Sequence, residues 1–127
     1  MKSILLIDDD EALREALRVA LERAGYNVVI AGDGKQGLQL YRRLRPDLVV
    51  TDIVMDGQEG IETIKTLRSE SPLVKIIAMS GGGSMRDSTY LDVARCLGAQ
   101  RTLDKPFELE DLLTAVRDVL YSETDPH

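Results

Sequence analysis

The chain has 127 residues, 43% hydrophobic and 30% charged, which fits one globular domain whose core needs neither disulfide nor structural metal. Sixteen Lys and Arg against twenty-two Asp and Glu leave a net charge of −6, and an acidic surface disfavours binding to a phosphate backbone. One cysteine, Cys96, and one histidine, His127, exclude an internal disulfide and a His-rich metal site.

No apolar run approaches the ~20 residues of a membrane helix, and the start, MKSILLIDDD, reads as no signal peptide; a cytoplasmic location is the expectation. Ile4 to Ile7 is a continuous apolar run and predicts a strand buried on both faces. Asp10 then caps a helix that carries Leu13, Ala16, Leu17, Ala20, Leu21 and Ala24 on one face and stops at Gly25. Val28-Val29-Ile30 is the second strand, and Gly32-Asp33-Gly34 leads to a helix through Leu38 and Leu40 that Pro46 breaks. Leu48-Val49-Val50 is the third strand and delivers Asp52 at its end. A helix with Ile61, Ile64 and Leu67 follows, then Ser71-Pro72 and a fourth strand from Val74 to Met79. Gly81-Gly82-Gly83 opens a long loop before a helix around Leu91, Val93, Ala94 and Leu97, which Gly98 ends. Thr102-Leu103 lies in a short fifth strand, and Lys105-Pro106 leads to a last helix with Leu109, Leu112, Leu113, Val116 and Leu120. Strands separated by single helices cannot pair as hairpins, so the expected fold is α/β: a doubly wound, five-stranded parallel sheet with helices on both faces. Residues 2–121 form the domain and 122–127 a short polar tail.

In such sheets ligands bind beyond the carboxyl ends of the strands. Strand one ends in Asp8 and Asp9, strand three in Asp52, strand four in Ser80 and strand five in Lys105. Three carboxylates, a hydroxyl and an ammonium thus converge on one edge. Neighbouring carboxylates repel unless a cation neutralises them, and oxygen ligands without His or Cys select a hard ion, Mg²⁺ with Mn²⁺ as the alternative. A carboxylate can also attack phosphorus to give an acyl phosphate, while metal, ammonium and hydroxyl neutralise the phosphoryl oxygens. The set fits a phosphoryl-accepting aspartate.

LLIDDDE at 5–11, DLVVTDIVMDGQEG at 47–60, IIAMSG at 76–81 and LDKPF at 103–107 resemble the receiver domain of two-component response regulators, and the resemblance spans residues 2 to about 121. It implies that Asp52 is the phosphoacceptor, loaded from a histidine kinase or a histidine phosphotransfer protein. It further implies that Asp9, Asp52 and the Val54 backbone carbonyl bind Mg²⁺, with Asp8 helping through water. Ser80 would hydrogen-bond the phosphoryl group, Lys105 would pair with it, and the Lys105-Pro106 bond would be cis. The only chemistry is then the protein's own phosphorylation and dephosphorylation, with output through contact with a downstream protein. A phosphorylation-dependent homodimer is a further form of output.

Two positions depart from the family's pattern. Asp56 stands where many receivers have proline, and Thr102 stands where the family has its switch aromatic, so the usual aromatic rotation has no side chain to act on. Val54 and Gly82, which flank the path of an attacking water in the family, cannot hydrogen-bond it through side chains, and slow loss of phosphate is the expectation. An aspartyl-nucleophile phosphatase is the competing enzyme, but it needs an acid two residues after its nucleophile, where Val54 stands. A flavodoxin-like carrier needs a phosphate-binding loop after strand one, where three aspartates stand. Within the receiver reading, a stand-alone regulator competes with a receiver cut from a longer chain with a separate effector domain.

Other features read as ordinary structure. Gly81-Gly82-Gly83 lacks the pattern of a nucleotide loop and reads as a hinge after Ser80. Cys96, beside Leu97, reads as a small buried hydrophobe. Arg42, Arg43 and Arg45 read as a solvated helix end opposing the C-terminal dipole. Tyr90 reads as a packing residue with partner contact as the alternative, and His127 as terminal and inert.

Overall fold

The computed structural model describes residues 1–53, 59–80, 92 and 94–121. Five strands, β1 (Ser3–Ile7), β2 (Asn27–Ala31), β3 (Leu48–Asp52), β4 (Ile76–Ser80) and β5 (Arg101–Asp104), form one sheet. Its order is β2-β1-β3-β4-β5 and every pairing is parallel. Helices α1 (Glu11–Arg23), α2 (Gly34–Leu44), α3 (Glu59–Glu70) and α5 (Leu109–Leu120) alternate with the strands, and residues 92 and 94–96 are helical in the position of α4. Doubly wound α/β architecture follows as expected.

The continuous apolar runs explain the three central strands. Ile4, Leu5, Leu6 and Ile7 are at most 1% exposed, and β3 and β4 are buried at all five positions. Both faces of these strands are covered, so alternation with polar residues has no place in them. Leu5, Ile7, Val49, Ile76 and Ala78 pack toward α2, α3 and Ala94, while Ile4, Leu6, Val50, Ile77 and Met79 pack toward α1 and α5. The sheet therefore separates two apolar layers.

Helix ends follow the expected chemistry. Asp10 and Asp33 cap α1 and α2, their side chains accepting from the Leu13 and Gln36 amides. These two acids are caps rather than site residues. Gly25 and Gly98 adopt φ of +101° and +96° after α1 and α4, the left-handed conformation that closes a helix.

Several local expectations change. β4 begins at Ile76 rather than Val74, because Val74 closes a turn onto Ser71. Ala16 of α1 and Ala24, the residue that closes it, are exposed, and the fully buried positions of that helix are Leu17 and Leu21. Cys96 is exposed, not buried: Ala94 is the residue of α4 that faces the core, and two residues on is about 200° around the helix. Arg42 is more than a solvated end, since its Nε donates to Glu70 at 2.9 Å and ties α2 to α3. The Gly81-Gly82-Gly83 hinge, Asp56, Tyr90, Leu91, Val93, His127 and the tail at 122–127 lie outside the described residues.

Candidate functional site

Every parallel strand points its carboxyl end the same way, and that shared direction assembles the site. Asp8 follows β1 directly and is fully buried, while Asp9 is exposed. Asp52 is the last residue of β3 and 3% exposed; Ser80 is the last of β4 and fully buried. Lys105 comes straight after β5, where its backbone N–H donates to the Ser80 carbonyl at 2.9 Å. The Lys105-Pro106 peptide is cis.

Side-chain contacts draw these residues together. Lys105 Nζ donates to Asp8 Oδ2 at 3.0 Å and to Asp52 Oδ2 at 3.1 Å. Burial alone would lower its pKa, but the Asp52 and Asp8 carboxylates outweigh that cost and hold the ammonium above its ordinary value. Asp8 Oδ1 accepts from the Asp10 amide at 3.0 Å. Carboxylate oxygens of Asp8, Asp9 and Asp52 lie within 4.8 Å of one another. Three hard oxygen donors from two strand ends, with one member open to solvent, suit Mg²⁺.

Ser80 Oγ is buried and has no hydrogen-bond partner among the described residues. An unpartnered buried hydroxyl ordinarily costs stability. Of the predicted site residues, Asp8, Asp52 and Lys105 are in direct contact, Asp9 joins them as a third carboxylate, and Ser80 adjoins through the backbone of Lys105. Val54 lies outside the described residues, as does Gly82.

One neighbour escapes a reading of the sequence. Arg14, one turn into α1, donates from Nη1 to the Asp8 carbonyl at 2.8 Å, while its Nε is buried without a partner among the described residues. A Cβ on Gly32 would sit 3.4 Å from this guanidinium. The only signals were its place four residues after the Asp10 cap and the side-chain-free Gly32 at the end of β2. Thr102, in place of the switch aromatic, accepts from Arg95 Nη2 of α4 at 3.4 Å. Beside Lys105 runs an apolar groove of about 450 Å³, walled by Leu13, Leu17, Pro106, Phe107 and Leu109.

Comparison with known proteins agrees with this geometry. The profile of the response regulator receiver domain matches residues 4–117. Response regulator MprA of Mycobacterium leprae is 41% identical over 118 residues, which cover 92% of this chain and 50% of that protein. The chain thus spans about half the length of the curated relatives it matches. A CheY-like receiver domain from Methanospirillum hungatei superposes with a TM-score of 0.84 at 30% identity, over 94% of both chains. Response regulator TrrA of Thermotoga maritima, solved in complex with Mg²⁺ and BeF, gives a TM-score of 0.82 at 31% identity over 94% of this chain and all of that one. Fold, carboxyl-edge residues and sequence profile converge: the chain belongs to the receiver domains of two-component response regulators.

Proposed function

We propose that Asp52 accepts a phosphoryl group from a phosphohistidine donor, and that the modified domain signals by contact with a downstream protein. The observation that carries this reading is Lys105 held against both Asp8 and Asp52, beside a buried Ser80 hydroxyl with no partner among the described residues. In the transfer, an Asp52 carboxylate oxygen forms the new P–O bond as the donor's P–N bond breaks, and that electron pair leaves with the imidazole. Asp8, Asp9, Asp52 and the Val54 carbonyl would hold Mg²⁺. When bound, the ion offsets the repulsion between carboxylates and phosphoryl oxygens.

Lys105 reaches Asp52 already, so its ammonium stands ready to pair with an added phosphoryl group without a long excursion. Ser80 supplies an O–H donor whose proton has no competing acceptor among the described residues. The apolar groove offers a protein donor a surface that touches the lysine itself. Residues 2–121 would form this unit in the cytoplasm, and its chemistry would be confined to itself, without turnover of a substrate.

Incubation with acetyl phosphate and Mg²⁺ should raise the intact mass by one phosphoryl group, and Asp52→Asn should remove the increase. Equal labelling of Asp52→Asn would move the acceptor elsewhere. The resemblance to receivers sets Val54 and Gly82 beside the path of an attacking water that neither side chain can hydrogen-bond, so spontaneous decay should be slow, and Val54→Asn should quicken it in a timed mass measurement.

A further inference from the structure

The opposite edge of the sheet carries a second polar hollow, of about 200 Å³. Lys2, Asp47 and Lys75, the residues directly before β1, β3 and β4, stand in its wall together with Tyr41, Ser71 and Leu73. Its charges are unbalanced. Neither Lys2 nor Lys75 is in an ion pair among the described residues. The one carboxylate in the wall, Asp47, has its Oδ2 taken by the Ser3 N–H at 2.8 Å and the Ser3 hydroxyl at 3.2 Å.

The wall also has a buried polar anchor. Tyr41 is 5% exposed, and its hydroxyl donates to Ser71 Oγ at 3.0 Å. Ser71 accepts that bond, and its own proton has no acceptor among the described residues. Two ammoniums without a carboxylate partner among the described residues, Lys2 resting 5.9 Å from the centre of the Tyr121 ring, and a hydroxyl donor form a set of donors for an anion, and the volume lies below the range of drug-sized pockets. We propose that this hollow binds a small phosphate-type anion.

Lys2 and Lys75 outweigh the single carboxylate of Asp47, which keeps its charge while it accepts from Ser3, so the wall favours an anion over a neutral molecule. Binding would also tie together the starts of the three strands whose far ends carry Asp8, Asp52 and Ser80. The two edges are about 17 Å apart along a five-residue strand, well beyond hydrogen-bond reach, so this site is separate from the phosphorylation site.

The test uses the full chain at low ionic strength with a chelator and no divalent ion, which removes Mg²⁺-supported phosphate binding at the carboxyl edge. Inorganic phosphate is titrated while amide resonances are followed. Saturable single-site binding is expected, with the largest shifts at Lys2, Asp47, Ser71 and Lys75. Lys2→Gln and Lys75→Gln should each weaken it by about tenfold or less, and Asp47→Asn should tighten it by a similar factor. Asp52→Asn should bind like the parent. Melting curves confirm that each variant is folded before its affinity is compared. Shifts centred on Asp8 and Lys105, affinities indifferent to all three charge changes, or no saturation would each overturn the proposal. So would binding to phosphatidylglycerol vesicles by a chain that ignores inorganic phosphate.

Discussion

Lys105 is where one side chain does two jobs. Its ammonium bonds to Asp8 and Asp52, so it competes with any other cation for the same carboxylates. Lys105→Ala should therefore bind Mg²⁺ at least as tightly as the parent in a calorimetric titration, while losing the conformational response to phosphorylation. A marked loss of Mg²⁺ affinity would show that the lysine organises the carboxylates instead of competing for them. Arg14 acts one layer further out, through the Asp8 carbonyl. Arg14→Met would leave that buried carbonyl without its side-chain donor, at a cost of about 1–3 kcal/mol in urea unfolding.

The element that couples site and scaffold most tightly is α3. A Cβ on Gly60, in its first turn, would come within 2.3 Å of the Ile53 Cα and 2.5 Å of the Asp52 carbonyl. Backbone cannot yield as a flexible side chain can, so Gly60→Ala should cost about 1–3 kcal/mol or more and slow phosphorylation of Asp52. At the other end of α3, Arg68 donates to the Pro72, Leu97 and Gly98 carbonyls, and burial draws its pKa below the ordinary guanidinium value. Arg68→Ala should speed amide exchange around the end of α4 and the start of β5. The sequence made such elements legible where periodicity or capping is local: the apolar runs of β1, β3 and β4, the Asp10 and Asp33 caps, and the acids, serine and lysine at strand ends. It hid whatever depends on which face meets which neighbour. Cys96 and Ala94 differ by two positions and end on opposite sides of α4, and nothing in residue type distinguishes them. Arg14 and Arg68 look like surface cations because their acceptors are backbone carbonyls, which carry no sequence signature.

At the scale of the whole molecule, an ion that binds only the folded chain adds to its stability by mass action. Mg²⁺ at about 100 times its dissociation constant should add about 2.7 kcal/mol, read as a raised melting temperature, and Asp9→Asn should remove most of that gain. Strand order has a consequence for the way this protein comes apart. β1, β3 and β4 each have a strand on both sides, whereas β5 is a four-residue edge strand with no fully buried position. Opening free energies fall toward such margins, so the β5 amides should exchange with deuterium before those of β3 under native conditions. Asp8, Asp52 and Ser80 belong to the protected interior of the sheet, and Lys105 hangs from its frayed margin. Brief fluctuations would then detach the lysine while the carboxylates stay in register, making the ability to report a phosphoryl group more heat-labile than the ability to receive one.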